Sequence, residues 1–342
     1  MQLDFTSDQE ELRSSVRSVL VKECPTSLVR AHVEAVVDGR PSDAGRDLWD
    51  TFVRLDWQAL TIPEPHGGIG LGFPELAVLA EELGKVIAPG PLLTTVAGFV
   101  PLMREAEGGG PWLDKVAAGE VSGTAAFESH ADRVLCGGEV DVIALQHGDR
   151  VLVVPAGDAP LRLIRALDAT RTLASLDIDS VHGAEQLLIT AGGAQRALEE
   201  MTLAVAFELV GTCESIFATN VGYAMERQQF GVPIGSFQAV KHKLANMFVA
   251  IERARGVCVF AAATIAEDDD RRTTAVAAAK AAAGDCQRLV AQDGIQLLGG
   301  IGYTWEHDQQ LFVKRAKTSD ALFGNASWHR QRIADALGLG GR

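Results

Sequence analysis

The sequence predicts a mainly α-helical protein with a small β domain between two helical regions. Three observations carry this. Helical periodicity runs through residues 1–115, short alternating β-rich runs fill 116–192, and long helices with apolar stripes occupy 193–342.

In the first region, DQEELRSSVRSVLVKE, DAGRDLWDTFVRL and FPELAVLAEELGKVI repeat apolar residues at helix spacing. Ser7 and Glu10 stand at capping-box spacing before the first of them. The stretch TIPEPHGGIGLGFPE fits neither GxGxxG nor a P-loop and follows no strand, so it reads as a turn between helices. In the middle region, EVDVIALQ, DRVLVVPA, LRLIRAL and LASLDIDSV are joined by Gly/Asp turns, and a segment this short suffices for about five or six strands. In the last region the run from Ala194 to Gln229 predicts a helix of roughly 32 residues, about 48 Å long at 1.5 Å per residue, with Leu203, Phe207, Val210, Phe217 and Val221 on its stripe. A second long helix has Ser236 as its expected N-cap, a third ends on a glycine C-cap, and a fourth follows ALFGNAS. Ala-rich helices of this length are the composition of a four-helix bundle.

The 342 residues include 31 basic and 45 acidic side chains, a net charge of −14. No global positive field exists to attract nucleic acid or an anionic membrane. Five scattered cysteines without a CxxC pair suggest buried free thiols in a reducing compartment, and the eight histidines form no metal-ligand pattern. The N-terminus lacks the basic segment and uninterrupted apolar core of a signal peptide, and no apolar run reaches membrane-spanning length. A soluble cytoplasmic protein is expected.

Two polar insertions interrupt the last region. In ERQQFGVPIGSFQ, Arg227 closes a helix, Phe230 and Gly231 lie in the turn, and Gln238 enters the next helix. A cation at a helix C-terminus complements the dipole, yet the same residues suit a diphosphate clamp beside a flat ring. In QDGIQLLGGIGY, Gln292 and Gln296 share one helix face, and a C-cap explains one of Gly299, Gly300 and Gly302 but not all three.

Taken together, a long helix, RxxFGxPIxxFQ, a long helix, QxxGGxGYTxE and a cationic helix resemble the acyl-CoA dehydrogenase family of flavoproteins, over nearly the whole chain. PEPHGGIGLGFPELAVLAEELG is similar to the family's N-terminal signature, and RALDATRTLASLDIDSV to the end of its β domain. The resemblance implies an N-terminal helical domain, a middle β-barrel-like domain and a C-terminal four-helix bundle. It also implies FAD, with the pyrophosphate and adenine end held for a neighbouring subunit by Arg227, Phe230, Gln238, Gln296, Gly299 and Gly300. All six positions match.

The half of the site that a chain keeps for itself departs from the family. Where members carry TExxxGSD, this chain reads AFESHADRV, and the tryptophan-isoleucine-threonine strand that covers the flavin is missing. Aligning KRAK (Lys314–Lys317) on the family's RDAK puts Phe323 at the position of the catalytic glutamate. The alternative family position falls on Met201; its neighbour Glu200 is displaced by about 100° around the helix. Asp320 is too short to reach the same point. No catalytic base is therefore assigned to this chain, and Trp305, Glu306 and His307 read as structural.

An intact donated half beside a defective retained half resembles the smaller subunits of heterotetrameric (α2β2) acyl-CoA dehydrogenases of actinobacterial steroid side-chain breakdown. That resemblance implies a homologous partner carrying the catalytic Glu, an acyl-CoA substrate, and an electron-transferring flavoprotein as acceptor. The alternatives are a catalytically silent scaffold subunit and a self-sufficient homotetramer with a relocated base.

Overall fold

The computed structural model describes residues 4–40 and 42–339, and of Tyr303 the backbone. Residues 1–3 and 41 of the expected 1–115 region and residues 340–342 of the expected 193–342 region lie outside that range.

The first helix, α1 (Ser7–Glu23), is closed by a capping box one residue earlier than Ser7 and Glu10 suggest. Thr6 Oγ1 accepts from the Gln9 N–H at 3.2 Å, while Gln9 Oε1 accepts from the Thr6 N–H at 2.9 Å. Ser7 is already helical, and the box requires its first member to be the last non-helical residue. Next come α2 (Thr26–Val37), α3 (Ala44–Val53) and α4 (Phe73–Val86). In the segment between α3 and α4, Trp57 stacks on Phe52 of α3, ring centroids 4.8 Å apart. Between α4 and the sheets run α5 (Leu92–Thr94), a π turn (Thr95–Phe99), α6 (Val100–Glu105) and α7 (Gly110–Ala117).

Seven strands follow rather than five or six: β1 (Gly123–Phe127), β2 (Val134–Leu135), β3 (Val142–His147), β4 (Arg150–Pro155), β5 (Leu161–Ile164), β6 (Leu173–Leu176) and β7 (Glu185–Leu188). They form a β1-β3-β4-β7 sheet, parallel only at β1/β3, and an antiparallel β2-β6-β5 sheet. Ala126, Val134, Ile143, Leu145, Val154 and Leu176 make their shared core.

The last region begins with α8 (Ala191–Glu226), 36 residues long, so about 54 Å. Contrary to the sequence expectation, α8 is long and apolar enough to span a membrane, but 78% of its most apolar stretch is buried within the protein. Of the expected stripe, Leu203, Phe207 and Val210 are fully buried, whereas Phe217 and Val221 are half-buried. A short hairpin, β8 (Gln228–Gln229) and β9 (Val232–Pro233), leads into α9 (Gln238–Ala266). The residues before α9 are a 3-10 turn, so its N-cap is Phe237, not Ser236, whose hydroxyl donates to the Pro233 carbonyl at 2.7 Å. Then come α10 (Arg272–Leu298), α11 (Gln309–Ala321) and α12 (Ala326–Ala336), with α10 packed against α9, α11 and α12.

The chain forms two compact units. One comprises the described residues of Met1–Val21, Ala77–Ile87 and Val205–Arg342; the other comprises those of Lys22–Leu76 and Ala88–Ala204. In the first, α4 and α8 approach so closely that a Cβ on Gly84 would stand 2.0 Å from the Glu208 carbonyl oxygen, and one on Gly211 would stand 1.9 Å from that of Glu81. Only glycine permits that backbone separation. All five cysteines are free and buried.

Candidate functional site

Arg227 directly follows α8, and its backbone closes the following turn: its N–H donates to the Tyr223 carbonyl at 2.8 Å, and its carbonyl accepts from the Ile234 N–H at 2.8 Å. Between them Gln229 pairs with Val232, leaving Phe230 and Gly231 as a two-residue hairpin loop. Both have positive φ, 53° and 82°. That is the geometry of a type I′ turn, which matches strand twist but normally draws Asn-Gly. A phenylalanine there is strained by about 1–2 kcal/mol. Its ring gains no burial in return, being 92% exposed, and meets Phe237 edge-on at 6.1 Å.

Gln238 is the first residue of α9 and is exposed. The cap residue Phe237 supplies no side-chain oxygen, so the positive end of a 29-residue helix opens to solvent. The antiparallel α9/α10 pair carries the start of α9 to the end of α10, and an ion pair of Lys243 with Asp293 ties the two ends. Gln296 lies one turn beyond Asp293 and is exposed, as are Gly299 and Gly300. Gly299 is the C-cap with φ 66° and ψ −141°, and a Cβ on either glycine would meet no protein atom within 4 Å. The fold thus leaves open space against the bare backbone that follows α10, at the end of the helix pair where α9 starts. Phe237 and the Lys243–Asp293 pair are not singled out by sequence reading, although both lie within or beside the motif, in FQAVKHK and QDG.

Around Phe323 the environment is opposite. Phe323 is 6% exposed with φ 53°, and the following Gly324 has φ 95°. The buried Lys280 ammonium donates to the carbonyls of Asp320 and Gly324 at 2.8 and 2.9 Å. His329 donates through Nε2 to the Phe323 carbonyl at 3.0 Å, and Asn325 caps α12 by accepting from the Trp328 N–H at 2.9 Å. Asp320 Oδ2 accepts from Gln287 at 3.2 Å. In the other unit, Glu200 is buried and ion-paired with Arg104, and Met201 is buried beside it. The start of the sheet region, Ala126 and Phe127, is apolar and buried. Trp305 lies under the Lys314 ammonium at 4.3 Å, and His307 Nδ1 accepts from the Gln309 N–H at 3.1 Å, both local packing roles. Among the described residues no group of His, Cys, Asp and Glu is arranged to hold a metal ion.

Residues 6–120 match the acyl-CoA dehydrogenase N-terminal domain, and residues 192–338 its C-terminal domain. The chain is 34% identical over 319 residues to the acyl-CoA dehydrogenase IpdE2 of Mycobacterium tuberculosis, covering 92% of each. It is 32% identical to acyl-CoA dehydrogenase FadE34 of the same organism over 341 residues, which is 95% of this chain and 47% of that one. Among solved structures it superposes on the ChsE4–ChsE5 complex from M. tuberculosis with TM-score 0.85 at 22% identity over the whole of both chains. It also superposes on the Tcur3481–Tcur3483 steroid ACAD G363A variant, TM-score 0.85 at 24% identity, covering 97% of this chain and 98% of that one. These likenesses show a shared fold. The paired domain matches and the near-complete identity coverage show that the chain belongs to the acyl-CoA dehydrogenase family, oxidoreductases acting on CH–CH bonds.

Proposed function

We propose that this chain is the FAD-donating subunit of a heteromeric acyl-CoA dehydrogenase that acts on the CoA ester of a steroid side chain. The observation that carries this reading is the contrast between two surfaces. Phe230, held exposed in a strained hairpin, and the open glycines that follow α10 wait for an outside partner, while Phe323 is apolar, buried and fixed by Lys280 and His329.

The residues present fit FAD. Gly299 and Gly300 offer a cradle that any Cβ would fill, the open start of α9 and Arg227 suit a diphosphate, and the Phe230 ring suits a flat heterocycle. When bound, FAD supplies acceptance of hydride from Cβ of the acyl-CoA. The chain's own residues bind and orient: Arg227 neutralises phosphate charge, Gln238 and Gln296 hydrogen-bond, and the glycines let backbone approach. The proton at Cα needs a carboxylate, and a homologous partner supplies it in an α2β2 assembly. The names of the similar structures, two heteromeric complexes and one of them a steroid enzyme, support this. Electrons then pass to an electron-transferring flavoprotein.

The engagement of Glu200 by Arg104 weighs against a relocated base. The experiment is to express the chain alone and with its homologous partner, then measure flavin per protomer and acyl-CoA-dependent dye reduction. Two flavins per tetramer and activity only in the complex are expected. Yellow, active protein from this chain alone would overturn the proposal, and an Arg227→Ala complex with undiminished flavin would favour the silent scaffold.

A further inference from the structure

A cavity of about 370 Å³ lies in the unit that contains the sheets. Val36 and Val37 at the end of α2 form one wall, and Leu163 and Leu173, flanking the β5–β6 loop, form the other. Leu163 and Val37 remain 64% and 47% exposed, more than a wall that only packs on itself would leave. Its titratable lining is Arg165, Arg171 and Asp168. Asp168 and Arg171 are both buried and lie 3.5 Å apart, and Asp168 also accepts from the Thr170 N–H and hydroxyl at 2.9 and 2.5 Å. That pair is neutral as a unit. Arg165, exposed at the rim, leaves the cavity with one uncompensated positive charge.

We infer that this cavity binds a small amphipathic carboxylate, with its apolar body between α2 and the β5–β6 loop and its anionic head at Arg165. Its volume is that of an ordinary small-molecule pocket, and apolar walls with one charged group at the mouth select such a ligand. An uncharged ligand of the same body gains the walls but not the guanidinium. A dianion meets the Asp168 carboxylate without a second free cation.

Decanoate and 1-decanol, titrated calorimetrically into the purified full chain, test this. One decanoate per chain is expected. Arg165→Ala should weaken decanoate about fivefold, the loss of one partly solvated charge-assisted hydrogen bond, and leave decanol unchanged. Ala166→Trp, on the loop side, and Val37→Trp, on the helix side, should each abolish binding of both. Decanoate binding that survives both tryptophans and Arg165→Ala lies elsewhere and overturns the inference, as does no binding at all. If the tryptophan variants fail to fold, the Arg165→Ala comparison decides by itself.

Discussion

The Arg315 guanidinium donates to the Glu208 carboxylate at 2.7 Å, and the two side chains are 2% and 3% exposed. Ser319 donates to the same carboxylate at 3.2 Å, and Arg315 also donates to the Ile87 carbonyl at 3.3 Å. The pair thus joins α8, α11 and the end of α4 deep inside one unit. Removing one partner strands a buried charge, so Glu208→Ala should lower stability by about 3–5 kcal/mol in urea unfolding. An effect within about 0.5 kcal/mol would mean that water reaches the pair.

Phe230 separates binding from folding. Its ring is 92% exposed and its φ is 53°, so Phe230→Gly should leave the melting temperature unchanged or raise stability by up to about 1 kcal/mol. The same variant should lower flavin content in the assembled complex, read by absorbance after gel filtration. A destabilised variant with full flavin would show the ring to be structural.

The loop of Phe323 is built for closure. A Cβ on Gly324 would stand 2.2 Å from the Trp328 ring at a φ of 95°, so Gly324→Ala should destabilise by about 2 kcal/mol or more. Phe323→Glu should also destabilise, since it buries a carboxyl in an apolar site, and should generate no dehydrogenase activity without the partner. Dye reduction by that variant alone would show the rest of a catalytic site to be intact.

Glu82 gives the pH dependence a sign. Burial alone pushes its carboxyl upward, but two Arg17 hydrogen bonds at 2.8 and 2.9 Å and the Lys85 ammonium at 2.9 Å outweigh it and hold the folded value below the usual glutamate range. A depressed folded pKa contributes stability that is present above the unfolded value of about 4.3 and is lost as pH falls through the folded one. Stability should therefore drop below about pH 4, and Glu82→Gln should lower stability at pH 7 while flattening that acid limb, measured by urea midpoints across pH.

Much of the fold was legible because its signals are local. The periodicities of α1, α4, α9 and α10 and the alternation of β3 and β4 each lie within one stretch of chain. The misreadings came where local signals overlap. Thr6-x-x-Gln9 and Ser7-x-x-Glu10 are adjacent boxes of equal spacing, and only the observed start of α1 chooses between them. The six motif positions were visible as letters, but the strained backbone of Phe230 was not, because the prior for a phenylalanine is negative φ. The engagement of Glu200 was likewise hidden, since Arg104 is 96 residues away along the chain.

By itself the sequence determined the family, the order of helical and β regions, and the absence of a carboxylate at position 323, since residue identity and spacing are properties of the chain. Tertiary structure alone decided that Phe230 is open while Phe323 is closed, and that the described residues of Met1–Val21 and Ala77–Ile87 join those of Val205–Arg342 in one unit. Burial depends on which distant segments cover a side chain, and that covering follows from the packing of the whole core rather than from any local pattern.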